Sequence, residues 1–416
     1  MSPTPRVAGV LALAALSSLL LGPFVAAGGV LVVLGALVAD ARAARRPPPA
    51  GRDVPAVVAR GRAVALRVTL PGAEAARARI RQAAPAGMTI SPPVSDGALE
   101  ADLLATRRGR HLLPAAAVRV RGPLGLAAWD HTAGEAHEVR VFPDVPAARR
   151  LALAVRQGRF REPGTRTRGP LGLGTEFESI RDGLPDDDVR FVNWRATARL
   201  GRSMVNNLRV EREREVVCVL DCGRLMASPV AESVTRLDAA LDAATAVGLA
   251  ADALGDRCGA VAFSDRVLRR LAPRRDGGEA LVRACFDLEA EGVDSDPELA
   301  FRAVGGLKRA LVLVLTDLVD TAAARSLVGA VPVLARHHQV VVADVPDPAL
   351  RTAIATSPGT LDDVRAAAVA VEVERARTDA ARRVRAAGAE VLDAPPGGLA
   401  AACVAAYVRA KARARL

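Results

Sequence analysis

From Glu215 onward the apolar residues arrive in short unbroken runs, and this limits the fold more than any other feature of the chain. Val216–Leu220 ends at Asp221, Gly259–Phe263 at Ser264-Asp265, Ala310–Leu315 at Thr316-Asp317, and Gln339–Ala343 at Asp344. A strand wetted on one face alternates apolar with polar residues, so a run that is apolar throughout is buried on both faces. Helical patterns lie between the runs: Thr235–Leu254, Gly278–Leu288, Pro297–Leu307, Ala322–Arg336 and Leu361–Ala387. A short strand at Glu390–Leu392 and a basic helix at Leu399–Ala414 follow. The alternation predicts an α/β domain built on a mostly parallel sheet covered by helices on both sides.

In such a sheet, sites form outside the carboxyl ends of the strands. Three strands end there in Asp (Asp221, Asp317, Asp344) and a fourth in Ser264-Asp265. Collected acids offer oxygen ligands to a hard divalent cation such as Mg. Single acids at strand ends also cap the helices that follow. Both readings stand. The chain holds no G-x-x-x-x-G-K-[ST], no G-x-S-x-G and no H-E-x-x-H. His337 and His338 are neighbours at a helix end and read as a terminal feature, not a metal pair. With no nucleophile–base pair in view, the expectation is a protein that is not an enzyme. The rival is a metal-dependent hydrolase at the Asp-rich edge.

The N-terminal region reads differently. Val7–Val38 is nearly free of charge, and Gly22-Pro23 breaks it into Val7–Leu21 and Phe24–Val38. Each run is shorter than the roughly 20 residues of a comfortable membrane span. A hairpin of two short transmembrane helices, one long kinked span and a signal peptide all fit. Arg6 on one flank and Arg42, Arg45 and Arg46 on the other suit a hairpin with both ends in the cytoplasm. After Pro47-Pro48-Pro49, short strand patterns recur at Ala56–Val58, Val64–Leu70, Met88–Ile90, Leu99–Leu104, Ala116–Arg121 and Glu138–Phe142, bounded by Gly and Pro. They predict an antiparallel β-sandwich. Ala147–Gln157 could form a short basic helix, and the Arg159–Gly172 segment is rich in Arg, Gly, Pro and Thr. The domains are then 1–46 (membrane anchor of two short transmembrane helices), 47–145 (β-sandwich), 146–214 (basic linker and a charged loop) and 215–416 (α/β domain).

Aromatics make up 3% of the chain, so the core must be Ala, Val and Leu. The net charge of +11 comes almost wholly from arginine, since Lys308 and Lys411 are the only lysines. These arginines are mixed with acids and lack the interleaved aromatics of a nucleic-acid platform, so no nucleic-acid partner is expected. The five cysteines are an odd number with no C-x-x-C pair, which points to free thiols and a reducing compartment.

One long string is more specific than any of these patterns. G-T-E-F-E-S-I-R-D-G-L-P-D-D-D-V-R-F-V-N-W-R-A-T-A-R, from Gly174 to Arg199, resembles the signature of the bacterial domain of unknown function 58 family. The R-R-G-R-H-L-L, G-P-L-G-L and V-R-V-F-P segments resemble the family's upstream sandwich. The resemblance implies a cell-membrane protein whose soluble domains lie in the cytoplasm. It also implies a von Willebrand factor A-like, doubly wound sheet and partnership with a MoxR-type AAA ATPase. A domains carry a metal-ion-dependent adhesion site, D-x-S-x-S with further ligands from two later loops. Carried over, this places Asp221, Ser295 and Asp317 as metal residues, with Gly223 and Leu225 standing where both serines would be. That departure leaves open a weakened site or none. Within the signature, Glu176, Arg181, Asp187, Asp188, Arg190, Trp194 and Arg195 form the candidate docking set, with Trp194 expected to anchor the segment by burying its ring. The same charges also fit an ion-pair network that merely holds the loop.

Overall fold

A computed structural model describes residues 2–21, 23–160, 176–184, 192–209, 214–307, 309–318 and 323–412. Contacts divide the chain into two units, Met1–Phe142 and Pro143–Leu416.

The first unit begins with helices α1 (Pro5–Leu21) and α2 (Pro23–Ala44). Pro23 opens α2 at the position where a missing N–H costs nothing. The helix runs past the apolar stretch, through Asp40 and Arg42, and Ala27–Ala44 is long and apolar enough to cross a membrane. The sequence pattern ended this run at Val38. The longer helix persists because Asp40 finds partners elsewhere: it is 1% exposed. Its Oδ1 accepts from the Leu124 N–H at 2.7 Å. Its Oδ2 accepts from Leu126 and Ala127 at 2.7 and 2.8 Å. The same turn takes the Thr4 hydroxyl on the Gly125 carbonyl at 2.6 Å, and Ser2–Pro3 pairs with Ala127–Ala128. The outer ends of both helices thus meet one turn. Leu13, Leu16, Phe24, Leu31 and Val32 are exposed along them.

The strands of this unit form three sheets. One orders Gly51–Asp53, Ala63–Thr69, Leu99–Ala105 and Met88–Ser91, all antiparallel. A second joins Ser2–Pro3, Ala127–Ala133, Ala116–Arg121, Ala78–Arg81 and Val94–Asp96. In the third, Val57–Ala59 runs parallel to His137–Phe142, which pairs antiparallel with Gly109–Leu113. Alternation does the work: Leu66 and Val68, Leu99 and Leu103, Val118 and Val139 point inward and share one core.

The second unit opens with α3 (Val145–Arg156), started by Asp144, whose Oδ1 accepts from the Ala147 N–H at 3.0 Å. The sequence placed this stretch in a linker, yet Ala148, Ala152 and Val155 lie in the main core. Strand Glu176–Asp182 pairs with Met204–Arg209, and α4 (Trp194–Leu200) lies between them in sequence. The central sheet holds β1 (Glu215–Asp221), β2 (Arg257–Phe263), β3 (Val267–Arg274), β4 (Ala310–Thr316), β5 (Gln339–Asp344) and β6 (Glu390–Asp393). Their spatial order is β3-β2-β1-β4-β5-β6. All pairings are parallel except β3 on β2.

Helices cover both faces of this sheet. Val216, Cys218 and Leu220 of β1 face a core shared with α3, α5 (Arg236–Ala253), α6 (Gly277–Cys285) and α11 (Pro396–Ala412). Val217 and Val219 face the other core, with α7 (Pro297–Val304), α8 (Ala323–Ala335) and α10 (Leu361–Ala386). A further helix, α9 (Pro348–Ala355), follows β5. Small residues permit a close crossing: a Cβ at Gly278 would collide with the backbone of Gly248, so α6 packs directly on α5.

Candidate functional site

The register of the sheet brings Asp221, Thr316 and Asp344 to one edge. Leu220 lies opposite Leu315, and Thr316 opposite Asp344. Asp221, 7% exposed, ends β1. Its Oδ1 accepts from the Gly223 N–H at 2.8 Å and from the Ser295 hydroxyl. Its Oδ2 accepts from the Thr316 hydroxyl at 2.6 Å. Position 223 has no room for a side chain, because a Cβ there would run into the Ser295 oxygen. The glycine that stands where the adhesion-site pattern has serine is therefore matched by a hydroxyl from another loop.

Asp317, 5% exposed, follows β4. Its Oδ2 is ion-paired with Arg236, the first residue of α5. Arg236 is itself 5% exposed and also donates to the Leu225 carbonyl at 3.4 Å. Burial, reinforced by the nearby Arg377, lowers the Arg236 pKa. Asp344 is consumed in the same way: its Oδ1 accepts from the Leu318 N–H at 3.2 Å and its Oδ2 pairs with buried Arg377. At the neighbouring strand end, the Ser264 hydroxyl donates to Glu291 at 2.6 Å, and Arg266 bridges Asp265 and Glu291.

A cavity of about 380 Å³ opens here, lined by Asp221, Arg224, Ser295, Thr316 and Asp317 among others. The three residues expected to hold a metal are thus brought together. Their chemistry is not that of a divalent-cation site. Both Asp221 oxygens already accept from three protein donors, and one Asp317 oxygen is held by a guanidinium. Among the described residues Asp317 Oδ1 is a buried oxygen without a protein partner. Mg is usually held by one or two carboxylates with water completing its shell, and Ca by more protein oxygens still; here neither carboxylate has both oxygens free and one oxygen is left to offer. Among the described residues no group of three His, Cys, Asp or Glu is placed to hold a metal. Arg236 is a residue that sequence reasoning missed, and Thr316 was read only as a strand end. A signal existed for the first: a cation in the opening turn of a helix opposes the helix dipole and calls for a partner.

The docking set is only partly in view. Asp187, Asp188 and Arg190 lie outside the described residues, as does the Glu176 side chain, although the Glu176 backbone pairs with Arg209. Arg181 donates to the adjacent Asp182 carbonyl at 3.0 Å. Asp182 forms an exposed ion pair with Arg202 at 3.2 Å. Trp194 corrects the expectation of a buried anchor: it is 67% exposed. Asn193 caps α4 through the Ala196 N–H, and this helix has no buried residue to carry a ring inward. Arg195 beside it is exposed as well. At the far end of α8, His338 is buried with its N–H on the Leu334 carbonyl, and burial with His337 nearby lowers its pKa.

Comparison with known proteins adds three findings. The sequence profile of a family described as "Protein of unknown function DUF58" matches residues 179–390, just over half of the chain. No curated protein matches. Among solved structures, an uncharacterized membrane-spanning protein from Vibrio fischeri is similar at 20% identity, over 32% of this chain and 70% of that one, with a TM-score of 0.16.

Proposed function

The chain belongs to the DUF58 family of unknown function, and from that premise we propose that it is a membrane-anchored adaptor that captures a protein partner through its second unit. The partner implied by the family resemblance is a MoxR-type AAA ATPase. We read α1 and α2 as a transmembrane hairpin. The meeting of their outer ends at the Gly122–Ala128 turn and their exposed Leu, Val and Phe side chains support this. The arginines at both flanks and the free, buried cysteines support cytoplasmic soluble units. We read the second unit as von Willebrand factor A-like, on the doubly wound order of its six strands.

The observation that carries the adaptor reading is Trp194. A tryptophan exposed at the start of a surface helix, beside an exposed arginine, pairs the two residue types that most often dominate the energy of protein interfaces. The hydrolase reading has less support, because the acids of the sheet edge are held by protein donors and two buried arginines. It predicts turnover that disappears in Asp221→Ala.

The test is a pull-down from native membranes with wild type and with Trp194→Ala plus Arg195→Ala, at matched folding and abundance. An AAA ATPase recovered with wild type only, under crosslinking with ATP, supports the adaptor and places its docking surface at α4. Recovery of none removes the main support, and equal recovery by both proteins moves the docking surface elsewhere.

A further inference from the structure

A divalent ion in an adhesion-type site ties the loop after the first strand to the acid after the fourth. Here one side chain already spans those two places. Arg236 reaches the Leu225 carbonyl on the first loop and the Asp317 carboxylate on the second. We propose that Arg236 is the resident cation of this edge, a built-in replacement for metal that assembles the cavity in the absence of any divalent ion.

Three independent features converge on this. Arg236 and Asp317 are both almost fully buried, so each charge depends on the other for compensation. The arginine sits at a helix N-terminus, where the helix dipole disfavours it, and the Asp317 carboxylate offsets that cost. The hydroxyl groups that would otherwise face a metal, Ser295 and Thr316, donate to Asp221 instead. The capping box that starts α5 fixes the arginine's backbone: the Asp238 N–H donates to Thr235 Oγ1 at 3.2 Å, and the Thr235 N–H to Asp238 Oδ2 at 2.9 Å. The guanidinium is thereby presented from a rigid element.

The experiment uses the full chain in detergent, stripped with EDTA, and follows its melting temperature and heat of binding during titration with MgCl2 and MnCl2. Wild type is expected to show no saturable binding and no shift in Tm. Arg236→Met alone leaves Asp317 buried without its counter-ion, and Tm falls by roughly 6–20 °C. Adding Asp317→Leu to the same chain recovers at least half of that fall, since an apolar pair of similar volume replaces a buried ion pair at little cost. Saturable Mn binding by wild type that Asp221→Asn abolishes would overturn the proposal, as would a double variant no more stable than the single. Should Arg236→Met fail to fold, the wild-type titration decides alone. None of these outcomes depends on whether an ATPase is captured.

Discussion

Replacing Asp40 by alanine tests how the apolar helices are joined to the β unit. The carboxylate accepts three backbone N–H bonds, from Leu124, Leu126 and Ala127, all within 2.8 Å. Hydrogen bonds to a charged group contribute about 1.5–3 kcal/mol each, but they share one carboxylate and do not add in full. The alanine also leaves three donors in a partly buried turn, where the carboxylate sits so close that Gly122 has no room for a Cβ. We expect a loss of about 3–5 kcal/mol for the first unit. Asp40→Asn, which keeps one acceptor oxygen, should lose about half as much. Hydrogen exchange read by mass spectrometry on the 122–128 peptide is the direct assay. At 3 kcal/mol, protection at Leu124, Leu126 and Ala127 falls by about two orders of magnitude wherever exchange follows opening of this turn. Unchanged protection in the alanine variant, in a protein that still inserts into detergent, would refute the reasoning.

The remaining predictions concern the second unit. Gly278→Val pushes α6 off α5 at their close crossing and should lower stability by about 2–4 kcal/mol, read as a lower urea midpoint with an unchanged slope. All five cysteines are buried and free. Burial closes all five to reagent and pushes the Cys403 thiol up to about 12, so a thiol reagent at pH 8 should label none of the five in the native protein, by reason of inaccessibility, and all of them in denaturant. Because the folded chain holds that proton while an unfolded thiol releases it near the ordinary value, Cys403 adds a loss of stability as pH rises above about 9.

Much of the second unit was legible because its strands carry their burial in their composition. Val216–Leu220, Ala310–Leu315 and Gln339–Ala343 allow no wet face, and the helical patterns between them leave few topologies. The edge strand β3 was not legible, since Arg269, Arg270, Pro273 and Arg274 look like a loop when only one side is paired. In the first unit, Ala127–Ala133 was missed because A-A-W-D-H-T-A opens on two small residues and shows no apolar–polar alternation; it is the returning arm of a hairpin on Ala116–Arg121, and its other neighbour, Ser2–Pro3, is far off in sequence. At the candidate site, Asp221 and Asp317 could be read from strand ends. The partner that defines Asp317 lies 81 positions away on another element, a pairing that no local pattern encodes. Trp194 was misread for a related reason: burial of a ring needs a neighbour to receive it, and α4 supplies none.

The sparse aromatics have an optical consequence. Of the two tryptophans, Trp129 lies in the first unit, with Arg45 at 5.6 Å from its ring, and Trp194 projects from α4 in the second. Neither belongs to the Ala, Val and Leu interior that flanks the central sheet. Intrinsic emission therefore carries two separable colours of information, a partly buried indole reporting on the helix-to-sheet junction and a solvent-bathed one reporting on whatever settles over α4. With either ring changed to phenylalanine, the remaining one becomes a native, label-free probe of a single event.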